Sequence, residues 1–134
     1  MANLIQYKKL YIATFIFGAM GVVLGAFGAH WLAEILSIKQ LSIYKTGVFY
    51  HFIHVIAALC VLNIVTNNSN HSLRFSVYFF LIGVLLFSGS LYLLATRDIL
   101  GISSYTWLFG PITPIGGVFF IAGWLNAAIS FLKE

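Results

Sequence analysis

Long uncharged runs alternate with short polar segments along this chain. The first run, residues 10–29, contains no charged residue and is preceded by Lys8 and Lys9. About 20 apolar residues in a helix cross a hydrocarbon core roughly 30 Å thick, so this run is long enough to span a bilayer. Three runs of similar length follow, and we predict four membrane-spanning helices. Their approximate ranges are 10–29, 47–65, 75–96 and 114–132.

The segments between these runs carry weaker signals. Apolar and polar residues alternate over 31–45 with helical spacing, which predicts a short amphipathic helix in the membrane interface. The polar residues 66–72 favour a loop, and the glycines and serines of 99–111 favour an interfacial loop or half-inserted turn. Thr113 and Pro114 supply an N-cap hydroxyl and a proline at the first helical position, so the fourth span is predicted to start near Pro114.

Composition indicates that lipid is the solvent of this protein. Only 7% of the residues are charged and the mean hydropathy is +1.00, whereas a soluble domain carries about 25% charged residues. A chain with so few charges cannot cover a water-facing surface. We therefore predict one integral membrane domain over residues 1–134. Continuous apolar runs without strand alternation favour an all-α bundle of four transmembrane helices over a barrel.

Charge adds a weak prediction of orientation. Four spans place both termini on one side, where Lys and Arg are slightly in excess, and Lys8 and Lys9 flank the first span. Positive residues concentrate on the cytoplasmic side, so we expect both termini there. Seven scattered basic residues do not form a nucleic-acid-binding surface.

Small residues recur along one face of several predicted spans. Membrane helices associate where such residues let two backbones approach closely, so these positions are expected to form packing grooves. In the first span four glycines recur every three or four residues, which places them on one helix face. The predicted helix-packing residues are Gly18, Gly21, Gly25, Gly28, Gly89, Gly116 and Gly123.

Histidines are the most informative polar residues. His51 and His54 share one face of the second span, and an ionisable group at membrane depth normally faces the bundle interior or a water-filled cavity. One interpretation is a neutral imidazole bonded across helices to a serine, a tyrosine or a carbonyl. A proton or ion relay is the second. Metal or haem ligation that includes His30 is the third, although no nearby Cys, Asp or Glu completes a ligand set.

Two hydroxyls, those of Ser88 and Ser90, lie in the middle of the third span. They either pack against a carbonyl or a neighbouring helix, or they line a polar path. No nucleophile–base–acid set is visible, so we predict no catalytic residue, no metal site and no cofactor. The candidate polar cluster comprises His30, Tyr50, His54, Ser88 and Ser90.

Four motifs occur in one order along the chain. They are Gly25-Ala-Phe-Gly-Ala-His30, Thr46 with Tyr50 and His54, Phe87-Ser-Gly-Ser-Leu-Tyr92, and Thr113-Pro-Ile-Gly-Gly117 followed by Gly123-Trp124. In these motifs the chain resembles the small bacterial inner-membrane family typified by YgdD and YwdK. The resemblance implies a multi-pass membrane protein of unknown function and transfers no reaction. Family members commonly carry a residue such as Gln where His51 stands, which leaves His30 and His54 as the better functional candidates.

Three hypotheses of function remain open. The first is a non-enzymatic bundle in the bacterial cytoplasmic membrane that associates with itself or with another membrane protein, in an assembly or in maintaining membrane integrity. The second is a transporter or channel component in which His30, His54, Ser88 and Ser90 line a polar route. The third is a haem, metal or quinone protein that uses His30 and His54. In each case the bilayer is the expected partner, and nucleic acid is not.

Overall fold

A computed structural model of the chain describes residues 2–67 and 71–132, and these residues are almost entirely helical with no strand among them. A π-helical turn, Val84–Ser88, joins α4 to α5, and short 3-10 turns precede α4 (His71–Leu73) and α6 (Ser103–Tyr105). The helices are α1 Ala2–Ala29, α2 Trp31–Ile35, α3 Ile38–Asn67, α4 Arg74–Gly83, α5 Gly89–Thr96 and α6 Thr106–Leu132.

Among the described residues, four helical stretches are long and apolar enough to cross a membrane, which confirms the predicted all-α, four-helix fold class. They are Ile5–Ile35, Ile38–Asn67, Arg74–Thr96 and Ser103–Leu132. We call Arg74–Thr96, which contains α4, the π-helical turn and α5, the third span. Every backbone polar group must be paired within hydrocarbon, and helices achieve this within a single segment.

The two middle helices form the centre of the molecule. α1 packs mainly on α3, α3 on the third span, and the third span on α6. Consequently 44% and 39% of the most apolar stretches of α3 and the third span are buried, against 17% and 22% for α1 and α6. The larger apolar core lies between these helices. Its largest members are Tyr7, Leu10, Leu62, Leu73, Phe80, Leu81 and Phe120.

The amphipathic segment was predicted with the wrong length. A short helix does follow α1, but α2 ends at Ile35, and residues 38–45 form the first turns of α3. The cause is a capping box: the Ser37 Oγ accepts a hydrogen bond from the Gln40 amide (3.3 Å), and the Gln40 Oε1 accepts one from the Ser37 amide (3.0 Å). This reciprocal pair starts a new helix within a pattern that looked continuous.

The predicted start of the fourth span was also wrong. α6 begins at Thr106, and both Pro111 and Pro114 lie inside it. The loop expected over 99–111 is therefore shorter than predicted, because residues 106–111 belong to α6. Instead of capping a helix, Thr113 points its hydroxyl at the Phe109 carbonyl (3.5 Å) and hydrogen-bonds Ser90 Oγ (2.7 Å). Membrane helices tolerate proline because neighbouring helices and hydroxyl side chains pair with the freed carbonyls.

The predicted loop 66–72 is described only in part. Residues 66 and 67 end α3 and residues 71 and 72 are helical, while 68–70 lie outside the described residues. At the opposite end of the bundle, the Gln40 Nε2 donates to the Asp98 carboxylate (2.6 Å), and so does the Ser103 hydroxyl (2.6 Å). The hydrogen bond from Ser103, supported by Gln40 and Arg97, lowers the pKa of Asp98 below its ordinary value of 3.8.

Candidate functional site

Glycines of α1 form the surface on which α3 lies. A Cβ placed at Gly18, Gly21 or Gly25 would meet side chains of α3 at 3.2–3.6 Å, close to ordinary contact. At Gly28 the fit is tighter, because a Cβ would lie 2.5 Å from the Tyr44 ring. The Tyr44 hydroxyl donates to the Leu24 carbonyl (2.8 Å), which holds this ring against the α1 backbone. The first-span glycines are therefore in contact with α3 along the C-terminal part of α1.

Glycines between the third span and α6 form notches for aromatic rings. A Cβ at Gly83 would overlap the Phe120 ring, and a Cβ at Gly123 would lie 2.6 Å from the Phe80 ring. Gly116 is the most constrained, because a Cβ there would overlap the Phe87 backbone. Gly83 was missed in the sequence because it is a lone small residue in an apolar run.

Gly89 does not pack as predicted, since no described atom lies within 4 Å of a Cβ placed there. Ser88, Gly89 and Ser90 are consecutive in a helical stretch, so they point about 100° apart. Ser90 faces Thr113 of α6, Ser88 is fully buried, and Gly89 is left beside an open surface groove.

His51 links three helices. It is 2% exposed, its Nε2 donates to the Phe17 carbonyl of α1 (2.8 Å), and its Nδ1 lies 3.1 Å from the Tyr92 hydroxyl of α5. A carbonyl oxygen only accepts, so the Nε2 carries the proton, and in the neutral ring the Tyr92 hydroxyl donates to Nδ1. A hydroxyl can also accept a hydrogen bond, so in a protonated His51 ring the Nδ1 would donate to Tyr92 instead.

His54 is enclosed by aromatic rings and is 4% exposed. It stacks on Phe120 with 3.5 Å between ring centroids, and its Nδ1 donates to the Tyr50 carbonyl (2.8 Å). Its Nε2 accepts from the Trp124 indole (3.3 Å). An indole nitrogen only donates and a carbonyl only accepts, so these partners select the neutral ring with its proton on Nδ1. A proton added at Nε2 would break the bond to Trp124.

Ser88 is the exception among the buried polar groups. Its side chain is 0% exposed, and its Oγ has no hydrogen-bond partner among the described residues. It ends the π-helical turn, whose wider hydrogen bonding displaces the carbonyls that a serine normally reaches. Such turns occur frequently at functional sites. Ser90, by contrast, bonds both the Phe87 carbonyl (2.9 Å) and Thr113.

The predicted polar cluster does not assemble as one site. Tyr50 and His54 stack with 5.8 Å between ring centroids, while Ser90 hydrogen-bonds Thr113 of α6 and the Ser88 Oγ bonds no described residue. His30 is exposed at the end of α1. Two residues earlier Gly28 contacts Tyr44, and ten helical residues separate Tyr44 from His54, so His30 lies roughly 15 Å along the bundle from His54.

Metal ligation by these histidines gains no support from their arrangement. Among the described residues, no three His, Cys, Asp or Glu side chains are grouped closely enough to hold a metal ion. Both nitrogens of His51 and of His54 already have hydrogen-bond partners. Neither residue therefore offers a free lone pair toward an open cavity.

Another set of polar contacts joins α6 to the region where α4 begins, at the end of the bundle away from Asp98. The Asn126 side chain of α6 donates to the Ser76 hydroxyl (2.8 Å) and to the Ser72 carbonyl (3.1 Å). The Ser72 and Ser130 hydroxyls are 2.8 Å apart. Asn126 and Ser130 are one turn apart on α6, so this contact fixes the register of α6 against the start of α4.

Comparison with known proteins identifies a matching family and several relatives of this chain. A family model described as "Protein of unknown function (DUF423)" matches residues 24–117. The chain is 43% identical to a UPF0382 membrane protein of Haemophilus influenzae, over 87% of this chain and 88% of the relative. It is 39% identical to the UPF0382 membrane protein SH2409 of Staphylococcus haemolyticus, over 85% and 87% respectively. It is 36% identical to the UPF0382 inner membrane protein YgdD of Escherichia coli, over 94% and 91%.

No solved structure matches the chain. The family match runs from the last two turns of α1 to the first half of α6, and so includes both histidines of α3 and the π-helical turn.

Proposed function

This chain belongs to the DUF423 family of membrane proteins, and we propose that it acts in the membrane without catalysing a reaction, by associating with copies of itself or with another membrane protein. The observation that carries the proposal is the use of the buried polar side chains. The buried His51, His54 and Ser90, and the half-buried Asn126, are hydrogen-bonded to other parts of the same chain. Polar side chains that are hydrogen-bonded within the chain hold helices in register rather than act on a substrate.

The shape of the bundle favours association through its outer helices. α1 and α6 each contact essentially one neighbouring helix and leave broad apolar faces exposed. Ala26 on α1 and Ala128 on α6 are small exposed residues on these faces. A small residue permits close approach of a second helix in the membrane.

Disulfide cross-linking in native membranes tests this proposal. The natural Cys60 is exposed on α3, so Cys60→Ser gives a chain without cysteine into which Ala26→Cys or Ala128→Cys is introduced. We expect oxidation to give a covalent dimer, or a covalent adduct with another membrane protein, at one of these outer-helix positions. The unaltered protein, with Cys60 alone, is the control for random collision. Cross-linking at neither position above the control would contradict the proposal.

We further propose that the protein lies in the bacterial cytoplasmic membrane with both termini in the cytoplasm. The basis is the pair Lys8 and Lys9 beside the first span. Thiol labelling by a membrane-impermeant reagent checks it. A single cysteine introduced at Ser103, in the turn before α6, should be labelled in intact cells. Labelling only after permeabilisation would contradict the proposed orientation.

A transport role is the second candidate, and Ser88 is the observation that favours it. A fully buried hydroxyl without a partner is costly, by about 1–3 kcal/mol, and calls for an explanation such as a bound water or solute. Flux of protons or small polar solutes into proteoliposomes tests this role. Loss of flux in Ser88→Ala, with Ser90→Ala as the neighbouring control, would support transport. Equal flux in protein-free vesicles would contradict a transport role.

A further inference from the structure

The position of Lys45 on α3 places its charge at the edge of the hydrocarbon core. Lys45 is the eighth residue of α3, and the polar residue Asn63 lies near its other end. Eighteen residues at 1.5 Å per residue separate the two by about 27 Å, close to the thickness of the hydrocarbon core. The Lys45 ammonium therefore lies at the depth of the lipid phosphates, where lysine side chains extend toward the headgroups.

A groove of about 730 Å³ runs down α3 beside Lys45. All of its lining residues lie on α3: they are Ser42, Lys45 and Thr46 around the cation, Ile38 and Leu41 toward the start of the helix, and Phe49 and Tyr50 one turn deeper. These residues are spaced by three or four positions and so share one helix face. The face is therefore polar and cationic at headgroup depth and aromatic at acyl-chain depth.

A second groove, of about 350 Å³, lies on the other side of Lys45 between α1 and α3. Lys45 and Phe49 line both grooves, while Gly25, Gly28 and Val48 form the wall and floor of the second. Two of its lining residues are glycines, which have no side chain to fill the groove. The two grooves thus meet at one cation, as two acyl chains meet at one phosphate.

The Lys45 charge has no counter-ion within the part of the chain that the structure describes. Among the described residues the ion pair formed is that of Arg97 with Asp98, and no carboxylate lies within ion-pair distance of Lys45. From this charge, its depth and the paired grooves, we propose that Lys45 binds the phosphate of an anionic phospholipid whose acyl chains lie along the two grooves. The site is independent of whether the protein associates or transports.

Competition between lipids in mixed micelles tests this site. The full-length protein is exchanged into micelles containing equal amounts of phosphatidylglycerol and phosphatidylcholine, and retained lipids are counted by native mass spectrometry. One lysine near an anionic headgroup contributes about 1 kcal/mol, so we expect Lys45→Gln to reduce the preference for phosphatidylglycerol about fivefold. Lys45→Arg keeps the charge and should retain the preference.

Lys39 provides the matched control. It is an exposed lysine of the same helix that lines neither groove, so Lys39→Gln should leave the preference unchanged. An equal loss in Lys39→Gln and Lys45→Gln would show that only general surface charge matters and would overturn the site. Displacement of the retained lipid by excess inorganic phosphate would also overturn it, because an anion site would then not need acyl chains. Helix content measured by circular dichroism confirms that each variant is folded.

Discussion

Where α1 lies on α3, Gly18 and Gly25 leave ordinary contact distances, whereas between the third span and α6 the glycines Gly83, Gly116 and Gly123 accommodate a ring or a backbone. A Cβ at Gly18 or Gly25 would be 3.5–3.6 Å from its nearest neighbour, but at Gly123 it would be 2.6 Å from Phe80. The same residue type therefore has two roles. At Gly18 or Gly25 a methyl group would fit against α3, and at Gly116 it would push two helices apart.

The two interfaces also hold their histidines differently. His51 bridges α1 and α5 through partners that include a hydroxyl, and it has no stacked ring within 6 Å. His54 lies flat on Phe120 and receives a bond from Trp124, both on α6. We therefore expect the α1 interface to tolerate replacement of its histidine, whereas the α6 interface depends on the shape of its side chains.

The largest effect is expected from Gly116→Ala. The added methyl group would overlap the Phe87 backbone, which no rotamer change can relieve, so the variant should lose about 3 kcal/mol of unfolding free energy. Unfolding by sodium dodecyl sulfate in mixed micelles measures this loss. Gly117→Ala is the control, because its methyl group would lie 3.8 Å from the Phe87 ring. Equal stability of the two variants would contradict the close approach of α6.

Gly28→Ala tests the one tight position on α1. Its methyl group would meet the Tyr44 ring, which is held by the Leu24 carbonyl, so we expect a loss of about 2 kcal/mol. Gly25→Ala, one turn earlier, should change the unfolding free energy by less than about 0.5 kcal/mol. The same unfolding assay compares them, and a large loss in Gly25→Ala would erase the distinction between the interfaces.

Glutamine substitutions compare the two histidines. In His51→Gln an amide can still donate to Phe17 and accept from Tyr92, so the loss should be about 0.5 kcal/mol. His54→Gln removes a ring stacked on Phe120 and weakens the bond to Trp124, for a loss of about 1.5 kcal/mol. The difference is read as a shift in the unfolding midpoint. A greater loss in His51→Gln would reverse the ranking of the interfaces.

The smallest effect concerns Asp98, which lies outside both interfaces. Its pKa is lowered in the folded protein, so its contribution to stability is present above the ordinary pKa of 3.8 and is lost as the pH falls below that value. The unfolding midpoint should therefore decrease between pH 5 and pH 3. Asp98→Asn removes the titrating group and should make this decrease smaller. An unchanged pH dependence would exclude a role for the contact with Gln40 and Ser103.

Local patterns in the sequence were enough to predict an all-α fold with four long apolar helices. Gly21 and Gly28 lie against α3, and Gly116 and Gly123 lie against the third span. The boundaries were predicted less well. Ser37 and Gln40 form a capping box that was overlooked, and Pro114 was read as a helix start although α6 continues through it.

The chain by itself determined that lipid surrounds four helices, because hydropathy and charge are summed over each segment without reference to its neighbours. Only the tertiary structure decided which side chains meet. Trp124 is 70 residues from His54 and Asp98 is 58 from Gln40, so no local spacing predicts either pair. The π-helical turn lies between Gly83 and Gly89, where a Cβ at Gly89 would meet no described atom and Ser88 is buried without a hydrogen-bond partner among the described residues. Contacts of this kind depend on how helices rotate against each other, and that rotation follows from the packing of all four at once.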